Sequence, residues 1–133
     1  MATLPRVLVV DDDPEMLASV ADALSRLGFE VTRASSGGEL MDRLVTERPF
    51  DLIVSDVSMP WMDGLKTLRS VRTAGLATPV IVMTALREAR IADLVSALGP
   101  QASLLLKPFG LDDLDAAVTA LLPSARPTVG REI

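Results

Sequence analysis

The stretch Val7-Leu8-Val9-Val10-Asp11-Asp12-Asp13-Pro14 decides how this chain is read. Four consecutive aliphatic residues read as a buried strand. Three carboxylates follow without a break. Two such groups ~4 Å apart repel by roughly 4 kcal/mol at an effective dielectric near 20. Solvent, a cation or a nearby ammonium must offset that cost. Asp13 is a good N-cap and Pro14 suits the first helical position, so the strand turns directly into a helix.

Working outward, the same device recurs. Leu52-Ile53-Val54-Ser55 is a second apolar run, closed by Asp56. A third, Ser103-Leu104-Leu105-Leu106, closes on Lys107. Lys107 is one of two lysines, with Lys66, in a chain that otherwise uses arginine. A compact ammonium is not interchangeable with a guanidinium. Strand ends carrying Asp, Asp, Asp and Lys point to one convergent charged site.

Between these runs the pattern alternates strand and helix. Leu17, Val20, Ala21, Leu24 and Leu27 recur at helical spacing and Gly28 stops that helix. Phe29-Glu30-Val31-Thr32-Arg33-Ala34 alternates apolar and polar, which predicts a half-buried strand at a sheet edge. Ser36-Gly37-Gly38-Glu39 has the spacing of a capping box, followed by a buried stripe of Leu40, Met41, Leu44 and Val45. A third helix is predicted over residues 64–73, with Asp63 as its cap. A strand over 79–83 follows, then a helix carrying Ile91, Leu94, Val95 and Leu98 that ends near Gly99-Pro100. The fifth helix carries Leu114, Val118, Leu121 and Leu122 and stops at Pro123.

Five strands, each followed by a helix, predict an α/β fold with a parallel sheet covered on both faces. The alternating second strand belongs at an edge and the uniformly apolar first, third and fourth inside. That matches the flavodoxin-like order 2-1-3-4-5, a three-layer (βα)5 sandwich. In such sheets ligands gather outside the carboxyl ends of the strands, where the Asp trio, Asp56, Thr84 and Lys107 are all expected.

Composition narrows the chemistry. The 133 residues suit one domain, with 49% hydrophobic residues for its core. We expect it over residues 4–122, with 123–133 as a flexible tail or linker stub. The chain has no Cys and no His. Thiolate and imidazole chemistry are thereby excluded, and a metal would need oxygen ligands, as Mg²⁺, Mn²⁺ or Ca²⁺ accept. A formal net charge of −5 argues against direct nucleic-acid binding. No apolar stretch approaches the ~18 residues that span a bilayer, and the N-terminus lacks a signal-peptide layout, so a cytoplasmic protein is expected.

Five segments, in order, resemble the signatures of two-component response regulator receiver domains, chiefly the single-domain chemotaxis type. They are Val9-Val10-Asp11-Asp12-Asp13-Pro14-Glu15, the run from Asp51 to Pro60, Met62-Asp63-Gly64, Met83-Thr84-Ala85 and Lys107-Pro108-Phe109. The resemblance spans residues 6–122. It implies that Asp56 accepts a phosphoryl group from a phosphohistidine on a sensor histidine kinase or histidine phosphotransfer protein. Mg²⁺ (or Mn²⁺) would be held by Asp12 directly, by Asp11 mainly through water, and by Asp56 and the Ser58 carbonyl. Lys107 and the Thr84 hydroxyl would meet phosphoryl oxygens, and the small Ala85 would leave them room. Lys107-Pro108 resembles a peptide bond that is cis in the family. The output would be phosphorylation-dependent binding of an unidentified protein target, with no turnover beyond self-phosphorylation and self-dephosphorylation.

The chain also departs from that pattern. Leu104 stands where the family often has Tyr or Phe, which removes the ring whose rotation couples to Thr84. The stretch from Gly99 to Lys107 is slightly long for the family. Trp61 follows Pro60 where a small or polar residue is usual. It either shields the acyl phosphate and contacts the kinase, or folds over the neighbouring helix. Asp112, Asp113 and Asp115 on the fifth helix, with no basic residue before Arg126, give no support for a charge-paired dimer. Two other readings stay open. One is an interaction module of the same fold that ignores phosphorylation, supported by Leu104. The other is an aspartyl phosphatase, which would need a second acid–base carboxylate and a substrate cap. With no output domain in sight, the chain is expected to act alone or as a relay intermediate, or to be a piece of a longer protein.

Overall fold

A computed structural model of the chain describes residues 4–56, 64–73, 75–85 and 89–122. Strands and helices alternate throughout: β1 (Arg6–Val10), α1 (Pro14–Arg26), β2 (Glu30–Ala34), α2 (Gly37–Thr46), β3 (Leu52–Asp56), α3 (Gly64–Thr73), β4 (Val80–Thr84), α4 (Ala89–Ser96), β5 (Ala102–Leu106) and α5 (Leu111–Leu121). The strands form one parallel sheet in the order β2-β1-β3-β4-β5. This is the flavodoxin-like order that the apolar runs predict.

Strand periodicity explains the layers. Successive side chains point to opposite faces. Val7, Val9, Leu52, Val54, Ile81 and Met83 therefore share one face, in a cluster with Leu17, Val20 and Leu24 of α1 and Leu114 and Val118 of α5. Leu8, Val10, Ile53, Val80 and Val82 share the other, in a cluster with Leu40 of α2, Leu68 of α3, and Ile91 and Val95 of α4. Each fully buried Leu, Ile or Val contributes about 1.5–3 kcal/mol relative to exposure. β1, β3 and β4 are buried along their whole length. β2, at the edge, has Glu30 and Arg33 exposed and only Ala34 buried.

The punctuation of α1 follows the sequence. The Asp13 carboxylate accepts from the amides of Glu15 at 3.0 Å and Met16 at 3.5 Å. Gly28, at φ +99°, provides the left-handed turn out of α1. Two details of α2 differ from expectation. Ser36 Oγ accepts from the Glu39 amide at 3.1 Å, but the Glu39 carboxylate reaches one residue further back, accepting from the Ser35 amide at 2.8 Å. The second half of the expected box is thus displaced by one residue. Val45 is not part of the buried stripe: it is 77% exposed. It lies roughly 140° around the helix axis from Leu40, beyond the face that Leu40, Met41 and Leu44 present.

Arg6 opens β1 and is itself 9% exposed. Its guanidinium pairs with Glu30 at 3.3 Å and Glu47 at 3.0 Å, donates to the carbonyls of Arg48 and Pro49, and lies 4.4 Å over the Phe50 ring. Its amide donates to the Asp51 carboxylate at 2.7 Å. This clasp ties the start of β1 to the α2–β3 connection, at the end of the sheet remote from the strand carboxyl ends. Among the described residues no helix is long and apolar enough to cross a membrane.

Candidate functional site

Register builds the site. Val10 of β1 pairs with Ser55 of β3, so the residues that follow, Asp11 and Asp56, emerge side by side. Thr84 of β4 pairs with Leu106 of β5, which places Lys107 next to Thr84. Four strands thus deliver their terminal polar residues to one edge of the sheet, as the sequence predicts.

The carboxylates of Asp11, Asp12 and Asp56 each offer an oxygen within 4.8 Å of the others. Asp11 is 1% and Asp56 3% exposed, whereas Asp12 faces solvent. Lys107 Nζ bridges the two buried members, 3.2 Å from Asp11 Oδ2 and 3.1 Å from Asp56 Oδ1. Thr84 is fully buried. Ala85 is exposed beside it, and the Lys107–Pro108 peptide bond is cis, as the resemblance implies. Ser55 Oγ donates to the Asp56 carbonyl at 3.0 Å. Leu104 is partly buried and packs on the α2–α4 side of the sheet. Ser58, Trp61 and the cap Asp63, as well as the tail 123–133, lie outside the described residues.

Local folding fixes Asp11. Its Oδ1 accepts from the Asp13 amide at 3.0 Å, while Asp13 caps α1. The three aspartates therefore do three jobs: Asp13 starts the helix, Asp11 turns the chain, and Asp12 faces outward. Burial pushes the Asp11 carboxyl pKa above its usual 3.8. The negative charge of Asp56 pushes the same way, against the lowering effects of the Asp13 amide and Lys107. Burial alone would lower the Lys107 ammonium, but its hydrogen bond with Asp56 and the charges of Asp56 and Asp11 win, so its pKa is raised above 10.5.

The donor set is all oxygen and carries excess negative charge that one lysine only partly offsets. Two ligands of a single Mg²⁺ are at most ~4.2 Å apart. The trio is thus close to the spacing that one small hard cation requires, and it could hold Mg²⁺ or Mn²⁺.

Sequence reasoning missed the Arg6 clasp, although an arginine heading an otherwise apolar buried run was a visible signal. It also weighed the acidic start of α5 only against a charge-paired dimer. There the Asp113 carboxylate accepts from the Gly110 amide at 2.9 Å and helps to begin the helix.

A parallel five-stranded sheet with an acidic pocket and a lysine at its carboxyl edge defines a receiver of the two-component type. Comparison with known proteins agrees: the response regulator receiver domain family matches residues 7–119, and the chain belongs to that family. It is 40% identical over 126 residues to the response regulator MprA of Mycolicibacterium vanbaalenii, covering 94% of this chain and 53% of that protein. It is 42% identical over 121 residues to the transcriptional regulatory protein PrrA of Mycobacterium tuberculosis, covering 90% of this chain and 51% of that protein. The chain thus spans about half the length of these curated relatives. The chemotaxis response regulator CheY4 of Vibrio cholerae shares the fold, with 31% identity, a TM-score of 0.80, and coverage of 90% of this chain and 100% of that one. Receiver domains are signalling modules, and this one is built for a two-component system.

Proposed function

We propose that residues 4–122 form a phosphoacceptor receiver in which Asp56 takes a phosphoryl group from a phosphohistidine. The donor would be a sensor histidine kinase or a histidine phosphotransfer protein. The observation that carries the proposal is Lys107 Nζ, 3.1 Å from Asp56 Oδ1 and 3.2 Å from Asp11 Oδ2, beside three converging carboxylates. An Asp56 oxygen attacks phosphorus, the P–N bond breaks, and the imidazole leaves with the bonding electron pair. Lys107 keeps a positive charge where the equatorial oxygens gather charge. The Thr84 hydroxyl is a donor to another of them, and Ala85 adds no bulk. Asp12, Asp11, Asp56 and the Ser58 carbonyl would hold Mg²⁺, which neutralises the transferring group. Hydrolysis of the acyl phosphate by water resets the domain.

The net charge of −5 supports a protein target for this chain rather than direct contact with nucleic acid. Residues 123–133 would serve as a tail or as the start of a linker.

The test is labelling by acetyl phosphate, followed by intact mass and peptide mapping. Mg²⁺-dependent label on Asp56, lost in Asp56→Asn, is the expected result. A label that maps to another residue, or that ignores the metal, would overturn the assignment. Leu104 is the one observation favouring a module that ignores phosphorylation. Partner binding unchanged by phosphodonor, by Mg²⁺ and by Asp56→Ala would favour that reading.

A further inference from the structure

Arg72 sits in the last turn of α3. Its Nε donates to the Leu98 carbonyl and its Nη1 to the Leu76 carbonyl, both at 2.9 Å. Leu98 lies in the turn that closes α4, and Leu76 follows α3 on the way to β4. The main-chain carbonyl of Arg72 also accepts from Gly75 at 3.0 Å. Both turns end on left-handed glycines, Gly75 at φ +102° and Gly99 at φ +104°. One residue therefore closes its own helix and joins it to the C-terminal end of the next. Among the described residues its buried Nη2 has no hydrogen-bond partner, and burial lowers the guanidinium pKa. That is an expensive arrangement for an ordinary surface arginine. The partial negative charge at a helix C-terminus suits a cation held there.

The opposite end of α4 begins at Ala89, a few residues after Thr84 and Ala85. α4 is a short helix, anchored to the sheet by Ile91 and Val95, with Leu98 of the closing turn packed beside them.

We propose that Arg72 is a pivot pin. It fixes the C-terminal turn of α4 to α3, so that adjustment after Thr84 is taken up by rotation of the N-terminal end of α4. The pinning stands on the hydrogen bonds alone. The direction of movement rests also on the phosphoacceptor reading.

Amide hydrogen exchange by NMR on the full chain tests both parts. The reporters are the amides of Ala97, Leu98 and Gly99, which bond to the carbonyls of Asp93, Val95 and Ser96 at 3.0, 3.0 and 3.1 Å. In Arg72→Met, without ligand, their exchange should accelerate about tenfold or more while amides of β1 keep their rates. Unchanged rates, or equal acceleration everywhere, would overturn the pin. If Arg72→Met does not fold, Arg72→Lys carries the same comparison, because an ammonium cannot span both carbonyls as the guanidinium fork does. Beryllofluoride with Mg²⁺ then mimics the phosphoryl group. Wild type should shift amides at the start of α4 and spare Ala97 to Gly99, and Arg72→Met should spread the shifts along the whole helix. Equal shifts at both ends in wild type would refute the pivot. No shift anywhere in wild type, with the ligand-free result intact, would remove the phosphoacceptor reading and leave the pin.

Discussion

The main-chain amide of Lys107 donates to the carbonyl of Thr84 at 2.7 Å. Two residues that reach the pocket from neighbouring strands are thereby held in one frame. Neither can move without tilting the peptide of the other. The Lys107 ammonium extends from that frame to Asp56 and Asp11, so backbone and side chain together span four strand ends.

Removing the ammonium should be costly in two separable ways. Lys107→Met removes the ammonium that bridges two buried carboxylates. Such a loss typically costs about 3–5 kcal/mol for a buried pair, and part of it will be relieved by water entering the opened site. We expect a lower urea midpoint at neutral pH and phosphodonor labelling at least tenfold slower. In the double variant with Asp11→Asn the stability loss should shrink, because one of the two carboxylates that the ammonium bridges is already neutral. A double-mutant cycle with no coupling would contradict the bridging role.

Asp11 should oppose stability in the metal-free protein. Burial raises its pKa above 3.8, so the folded state binds this proton more tightly than the unfolded state does. That contribution is complete below about pH 3.8 and is lost as pH rises through the raised folded value. Asp11→Asn should therefore raise the melting temperature at pH 7 in the presence of chelator. The gain should fade toward pH 3.5. With saturating Mg²⁺ the order should narrow or reverse. A variant that melts below wild type at pH 7 without metal would show that the hydrogen bonds of Asp11 outweigh its burial.

Divalent cation binding should itself stabilise the fold. At 100 times the dissociation constant, a ligand of the native state adds about 2.7 kcal/mol. Thermal melts with and without Mg²⁺ should show this increment, and Asp12→Asn should lose most of it. Asp12 is exposed, so the substitution should leave the metal-free melting temperature almost unchanged.

The Arg6 clasp offers a control at the other end of the molecule. Arg6→Met removes a buried cation from Glu30, Glu47 and two carbonyls, and a loss of about 2–4 kcal/mol is expected. Arg6→Lys should recover little, because an ammonium cannot reproduce the fork that serves all of them. Labelling of Asp56 should persist in either variant at temperatures where it is folded. A selective loss of labelling would mean that the two ends of the sheet are coupled.

Much of this architecture was legible in the sequence because its signals are one-dimensional. Uniform apolar runs marked β1, β3 and β4 as interior, and alternation marked β2 as an edge. Charged residues at the ends of such runs then located the pocket, since a parallel sheet brings those ends together. Val45 was misassigned because a helical stripe has width, and its margin depends on how far α2 tilts over the sheet. Glu39 caps one residue early because a long carboxylate has reach that spacing alone does not fix. The Arg6 contacts and that of Arg72 with Leu98 join residues 24 to 45 positions apart, to backbone carbonyls as well as side chains. Periodicity carries no record of such pairings.

Asp56 and Asp11 draw on one ammonium, with Lys107 Nζ at 3.1 and 3.2 Å. That ammonium carries three protons. An anion arriving at Asp56 would compete with both carboxylates for them. Occupancy at the end of β3 would thereby be felt at the end of β1, without any strand having to shift.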